Sequence, residues 1–334
     1  MLSPLRATRP PEGIKIGSCE LPTKVLLAPM SGCTDLPFRL IAREHGAKFC
    51  FFEMIDAHSV THHRKKTLAM LKTVEEDRPI ALQLLGNDPR IMLSAAKEIL
   101  PLTEAAFIDI NAACPVKKVM KKRAGAYLLK NGDMLCEMIK LLASSLSVPI
   151  TVKMRLGHEK ETLADITYLA KRCESSGASA IFIHGRTRLQ HYAGTVDYPA
   201  IRAVKDSVKI PVIGSGDVLS GPLAKKMFDE TSCDAILVAR GSLGNPWIFD
   251  EIENCLKDGA SPGPQDLPAI KAVAGRHLSY MQRHMECRDP GKVGVMRKVM
   301  LWYIRSFPGA RQMRGEISLV KSYEKMLKLI DSFD

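Results

Sequence analysis

Cys114 lies in the stretch FIDINAACPVKKVMKKRAGAYLL, just after the apolar run 107–110 and just before Lys117, Lys118, Lys121, Lys122 and Arg123. Cysteine chemistry is governed by exposure and pKa, and a loop that follows a buried strand and carries cations is a partly exposed, electropositive place where a thiol can act as an acid. Most free cysteines are small buried hydrophobes. The loop position, Pro115 and the basic run set Cys114 apart from the other eight. Two glycine-bearing loops, Gly214-Ser215-Gly216-Asp217 and Arg240-Gly241-Ser242-Leu243-Gly244, offer a second kind of chemistry. Glycines let backbone N–H groups come close to an anion, and Arg240 can neutralise it.

These residues are brought together by a regular alternation of elements. Short apolar runs at 25–28, 49–52, 80–85, 107–110, 150–154, 180–183, 211–213 and 235–239 are separated by segments of helical character. Near-continuous apolar strands indicate parallel strands buried on both faces, and eight strand–helix units in this length predict a (β/α)8 TIM barrel. A doubly wound sheet is the rival, but no G-x-G-x-x-G follows any of the runs. Residues 14–16 and 20–24 predict a hairpin that closes the barrel floor. Active sites of such barrels lie at the carboxyl ends of the strands, with phosphate held after the last two. The strand-end residues include Pro29, Met30, Ser31, Gln83, Asn111, Lys153, His184, Arg186, Ser215, Gly216, Asp217 and Arg240. Taken singly, each could merely cap a helix or pair with a loop. Together, Gln83 suits the edge of a heterocycle and Lys153 suits a ring that gains negative charge, so flavin mononucleotide (FMN) fits the set. A Schiff base on Lys153 is the alternative, and it leaves Gln83 and Cys114 unexplained.

The barrel is expected over residues 1–256, a linker over 257–267, and a small helical domain over 268–334 with helices at 269–286, 291–306 and 318–332, broken at Pro308-Gly309. The chain carries a formal net charge of +12. Residues 271–328 hold thirteen Lys and Arg against four Asp and Glu. One-sided charge of this kind favours a polyanionic partner. The nine cysteines show no C-x-x-C spacing, so reduced thiols and no metal site are expected. The N-terminus lacks the apolar core of a secretory signal, and no run approaches the ~18 apolar residues of a spanning helix. A cytoplasmic protein with no membrane association is expected.

The motifs LLAPMSGCTDLPFR (26–39), FFEM (51–54), LQLLGNDP (82–89), DINAACPVKKVMKKRAGAYLL (109–129), VKMRLG (152–157), IHGRTR (183–188), GSGDV (214–218) and ARGSLGNPWIF (239–249) occur in order. In this order the chain resembles the flavin-dependent tRNA-dihydrouridine synthase family, especially its bacterial B-type branch. The resemblance implies reduction of the 5,6 double bond of a uridine in folded tRNA, with NADPH reducing bound FMN and Cys114 supplying a proton. It also implies that Pro29, Met30, Ser31 and Gln83 contact the flavin ring, that Lys153 and His184 lie beside it, and that Ser215, Gly216, Asp217, Ala239 and Arg240 hold its phosphate. Asn111 would seat the uracil, and Lys117, Lys118, Arg186, Arg297 and Lys298 would contact RNA. Trp302 and Tyr303 are expected in the helical core. The protein is expected to act as a monomer. Two departures stand out: Ala112-Ala113 where the family usually has Met-Gly before the cysteine, and Ser215 where the B-type branch often has Asn. Ribosomal RNA as substrate, a dihydroorotate-dehydrogenase-like reaction on a free pyrimidine, and non-enzymatic RNA binding are the alternatives.

Overall fold

Eight parallel strands form the barrel, with each apolar run of the sequence becoming one of them. In chain order they are β3 (Val25–Leu27), β4 (Cys50–Asp56), β5 (Ile80–Leu85), β6 (Ile108–Ala112), β7 (Ile150–Arg155), β8 (Ala180–His184), β9 (Val212–Ser215) and β10 (Ala235–Val238), following a hairpin of β1 (Ile14–Ile16) and β2 (Cys19–Leu21). The sheet order is β3-β10-β9-β8-β7-β6-β5-β4, and the Leu27 N–H donates to Phe49 O at 3.0 Å across the remaining seam. The computed structural model describes residues 13–159, 162–259, 263, 265–286, 289–306 and 309–332. The N-terminal segment 1–12, Cys287, Arg288, Pro308 and linker residues 260–262 and 264 lie outside the described residues.

Side chains alternate across a strand, and here both faces are apolar for different reasons. One set, including Leu26, Phe49, Phe51, Ala81, Phe107, Phe182, Ile213 and Leu237, fills the barrel interior. The other, including Leu27, Phe52, Leu82, Ile108, Val152, Ile181 and Ile236, packs under the helices. Phe51, Phe107 and Phe182 interlock at centroid separations of 5.5 to 6.2 Å. The hairpin's Ile16 and Leu21 join this inner cluster, as expected of a floor, and Cys19 Sγ donates to Ala106 O at 2.8 Å. Toward the carboxyl ends the inward residues turn polar. Thr151, Asp109, Gln83, Asn111, Lys153, His184 and Ser215 are aligned by the ladder register.

Strand β4 departs from simple alternation. Phe51 pairs with Ala81 but Met54 pairs with Gln83, so the register shifts by one residue between them. Such a bulge re-aims the side chains beyond it. It turns Met54 into the barrel mouth, and Glu53 turns toward β3, where its carboxylate accepts from the Gly32 N–H.

The helical unit comprises Leu267–His284, Asp289–Tyr303, Ala310–Leu319 and Tyr323–Asp331 around its own apolar core. The expected helix 318–332 begins only at Tyr323, and its first two residues instead close a preceding helix, Ala310–Leu319, that was not expected. Val320 is extended, and Ser322 starts a new helix by accepting from the Lys325 N–H. The barrel's last helix, Ile248–Asp258, runs two residues into the expected linker and ends at left-handed Gly259. The unit docks on the first barrel helix, Leu36–Glu44. Phe38 meets the rings of His277 and Trp302 edge-on at 6.0 and 5.9 Å, and Arg276 pairs with Glu44 at 2.8 Å. Trp302 and Tyr303 lie in the packed core, as expected.

Candidate active site

A cavity of about 290 Å³ opens at the carboxyl ends of the strands. Pro29, Met30, Ser31, Gln83, Lys153, His184, Ser215, Gly216, Asp217, Ala239 and Arg240 line it, together with Asn111 and Cys114. The eight barrel strands thus gather onto one surface residues spread over more than two hundred positions of sequence.

A chain of hydrogen bonds runs up one wall. Asp109, fully buried, accepts from Thr151 Oγ1 at 2.7 Å and from Gln83 Nε2 at 2.7 Å. Gln83 Oε1 in turn accepts from Asn111 Nδ2 at 2.7 Å, and Asn111 Oδ1 accepts from the Ala113 and Cys114 N–H groups at 3.1 and 2.9 Å. With Asp109 accepting on both sides, the Gln83 amide is oriented with its nitrogen toward Asp109 and its oxygen toward Asn111, and Gln83 in turn orients Asn111. The last amide oxygen then points at the backbone of the proton-donor candidate. Sequence reasoning missed Asp109. An acid two residues before Asn111 in an otherwise apolar run was a signal that it shares the inward face.

Lys153 interacts electrostatically with Asp109 at the base of this network. Burial lowers its pKa, Arg155 lowers it further, and Asp109 and Cys114 pull it back up. Asp109 is held above the usual carboxylate range by burial, opposed by its bonds to Gln83 and Thr151 and by the charge of Lys153.

Cys114 is half-exposed at the rim. Burial pushes its thiol above the ordinary value of 9.0, and the opposing influences are the Val116 backbone, Arg155 and Lys153. The five cations that follow it in sequence do not lower it, so the electropositive setting expected from the sequence does not tune the thiol. The thiol is protonated at neutral pH. Cys114 O accepts from the Ala126 N–H at 3.0 Å, and Gly125, at φ +63°, leaves room for this turn because a Cβ there would lie 2.7 Å from that oxygen. Ala112 and Ala113 both keep negative φ, so this path of the chain needs no glycine before the cysteine.

On the opposite wall, burial and the charges of Lys153, Arg155, Arg186 and Arg240 push the His184 imidazole down to about 2, which makes it neutral. Its Nδ1 lies 3.4 Å from Ser215 Oγ, and its buried Nε2 has no partner. Gly216 and Asp217 both have left-handed backbones, at φ +129° and +49°. A Cβ on Gly216 would lie 2.8 Å from Val196. Asp217 holds two arginines, with Arg186 bridging both carboxylate oxygens at 3.1 and 2.5 Å and Arg240 reaching one at 2.9 Å.

The expected RNA contacts divide. Lys117 and Lys118 are exposed beside Cys114. Arg186 is only 1% exposed and also donates to Ala193 O and Gly194 O, so it braces the phosphate-side loop and is not available to RNA. Arg297 donates to Val320 O at 2.8 Å, inside the helical unit. Lys298 lies over the Trp302 ring at 5.3 Å and donates to Gly32 O, joining the helical unit to the loop after β3. Arg155, another strand-end residue of the sequence, lines the cavity and donates to Ala113 O at 2.9 Å. Tyr192 was not singled out; it is 55% exposed and lies under the Arg240 guanidinium at 4.4 Å.

Among the described residues no cluster of His, Cys, Asp and Glu could hold a metal ion, and no helix is long and apolar enough to cross a membrane. A closed parallel barrel with a protonated thiol at its rim, a buried cation at its centre and a glycine-arginine loop pair opposite defines a (β/α)8 protein whose site is assembled at the strand ends. Residues 26–333 match the family model described as dihydrouridine synthase (Dus), and the chain belongs to that family, in its B-type branch. It is 34% identical over 320 residues to tRNA-dihydrouridine synthase B of Pseudomonas aeruginosa, covering 96% of this chain and 95% of that protein. It is 35% identical over 311 residues to a probable tRNA-dihydrouridine synthase of Rickettsia conorii, covering 92% of each. Histamine dehydrogenase from Rhizobium sp. 4-9 shares the barrel fold at a TM-score of 0.58 and 14% identity over 80% of this chain and 50% of that one. A 2-naphthoyl-CoA reductase does so at 0.57 and 11% over 73% and 52%.

Proposed function

We propose that this protein reduces the 5,6 double bond of a uridine in tRNA, using FMN reduced by NADPH. Family membership and relatives named for tRNA dihydrouridine formation support the substrate. The observation that carries the chemistry is Cys114, a protonated thiol at the rim of the cavity, held by the amide chain from Asp109. The residues present suit FMN. Gly216, Asp217, Ser215, Ala239 and Arg240 form a cradle for its phosphate, Pro29, Met30, Ser31 and Gln83 would flank its ring, and the unpartnered His184 Nε2 is free to donate to it or accept from it.

When bound, FMN supplies a hydride to uracil carbon 6. Cys114 Sγ delivers the proton to carbon 5, which a thiol can do because it is protonated at rest and ionises as the carbanion is quenched; the thiolate is then reprotonated from solvent. Lys153 offsets negative charge that develops on the flavin ring. Asn111, oriented by Gln83, is placed to meet the edge of the uracil. The base must leave the tRNA stack to reach this depth, so the protein recognises the backbone around an extruded nucleotide. In this reading residues 1–256 are the catalytic domain, 257–267 the linker and 268–334 an RNA-binding domain, in a cytoplasmic monomer.

The decisive experiment is an anaerobic single turnover. Protein loaded with FMN is reduced by NADPH and mixed with unmodified tRNA, and nucleosides are read by mass spectrometry. A two-hydrogen gain on one uridine is expected. Reduced flavin left unreacted by tRNA would overturn the reading and turn attention to ribosomal RNA or a free pyrimidine.

A further inference from the structure

The two cations of the helical segment expected to contact RNA are engaged within the protein, since Arg297 donates to Val320 O and Lys298 to Gly32 O. The barrel rim is different. The helix Ala57–Thr61 follows β4 and leads into His62, His63, Arg64, Lys65 and Lys66, all exposed. The loop after β6 carries Lys117, Lys118 and Lys121, exposed as well. The two loops are tied together, because Asp56 at the end of β4 both caps that helix, accepting from the Ser59 N–H at 2.9 Å, and pairs with Lys122 at 2.6 Å. A five-residue helix is about 7.5 Å long, so the chain rises roughly one phosphate spacing or two from that ion pair to Arg64.

The acids of this region already have partners. Asp56 is paired with Lys122, and Glu98 lies 3.0 Å from the His63 ring. Arg64, Lys65, Lys66, Lys117, Lys118 and Lys121 have no ion-pair partner among the described residues, and they belong to the segments that follow the carboxyl ends of β4 and β6, the end of the barrel at which the cavity opens. Exposed cations without ion-pair partners, at the end of the barrel that must receive an extruded nucleotide, match a phosphate backbone in charge.

We propose that the loop 62–66, joined to the Lys117–Lys121 helix by the Asp56–Lys122 bond, is a second RNA-docking surface, outside the helical unit, that holds phosphates flanking the target nucleotide. This rests on the tRNA reading above. Its test is the salt dependence of tRNA binding by the flavin-loaded full chain. Each phosphate neutralised contributes about 0.7 to 0.9 to the slope of log K against log salt. The triple variant Arg64→Ala, Lys65→Ala, Lys66→Ala is therefore expected to lower the slope by about 2 to 3 with unchanged flavin absorbance. The control triple Arg90→Ala, Lys97→Ala, Lys140→Ala, in a groove between two outer barrel helices, is expected to keep the wild-type slope. A rim variant with the wild-type slope, or a control that falls as far, would overturn the docking surface while leaving the catalytic reading intact. Wild-type protein that does not bind tRNA at low salt would overturn the catalytic reading itself, and the surface with it.

Discussion

The Gln83 side-chain nitrogen lies 2.7 Å from a carboxylate oxygen of Asp109, and both groups are sealed inside the barrel. Because Asp109 accepts from Gln83 and Thr151, one buried carboxyl orients two amides in series and, through Asn111, the Cys114 backbone.

Removing that carboxyl should therefore act at a distance. Asp109→Ala leaves Gln83 and Thr151 without their partner, at an expected cost of about 1–3 kcal/mol in stability. Displacement of the cysteine loop by even 1 Å could lower turnover on the order of 100-fold. Denaturant unfolding and single-turnover rates measure the two effects separately. A variant that loses stability but keeps its single-turnover rate would show that the chain is only structural.

Cys114→Ala should retain flavin and lose most of its turnover, because the proton donor is gone while the cradle is untouched. In the wild type the thiol must be protonated to act, and burial places its pKa above 9.0. The single-turnover rate should thus be flat through neutral pH and fall on the alkaline side, as the thiol ionises. A rate that rises as pH passes 9 would rule out Cys114 as the acid.

Arg186 separates a bracing role from an RNA role. Its guanidinium bridges both oxygens of Asp217 from a buried position, and lysine cannot reproduce that two-point contact. Arg186→Lys is expected to weaken FMN binding about tenfold or more, equal to ~1.4 kcal/mol, and to leave the salt slope of tRNA binding unchanged. The reverse pattern would restore Arg186 to the RNA surface.

His277 couples the helical unit to acid stability. It is buried against Phe38, its Nδ1 lies 3.1 Å from the Tyr303 hydroxyl, and burial pushes its pKa down to about 3. The unfolded chain takes up this proton near pH 6.5 and the folded one only near 3, so stability present above pH 6.5 is lost as pH falls through that window, at up to ~1.4 kcal/mol per pH unit. His277→Gln should flatten the fall in unfolding free energy between pH 7 and pH 4.

The alternation of apolar runs with amphipathic segments determined the barrel, since near-continuous apolar strands are stable only when buried on both faces, and eight such units close on themselves. The same rule located the cavity residues, because polar groups just past an apolar strand must emerge at one end of the barrel. Even the missed Asp109 was legible in principle from its spacing of two to Asn111. The break at Val320-Lys321 was not, because residues 318–332 keep an apolar rhythm across it and only Ser322 marks the restart. Tertiary structure alone decided the rest. A one-residue bulge in β4 chose Met54 over Glu53 for the barrel mouth. The charge pairs chose which cations are spent inside the fold, Arg186 on Asp217 and Lys298 on Gly32, and which stand free at the rim. A residue's type says what it can bind, whereas its neighbours in space decide whether that capacity is still available.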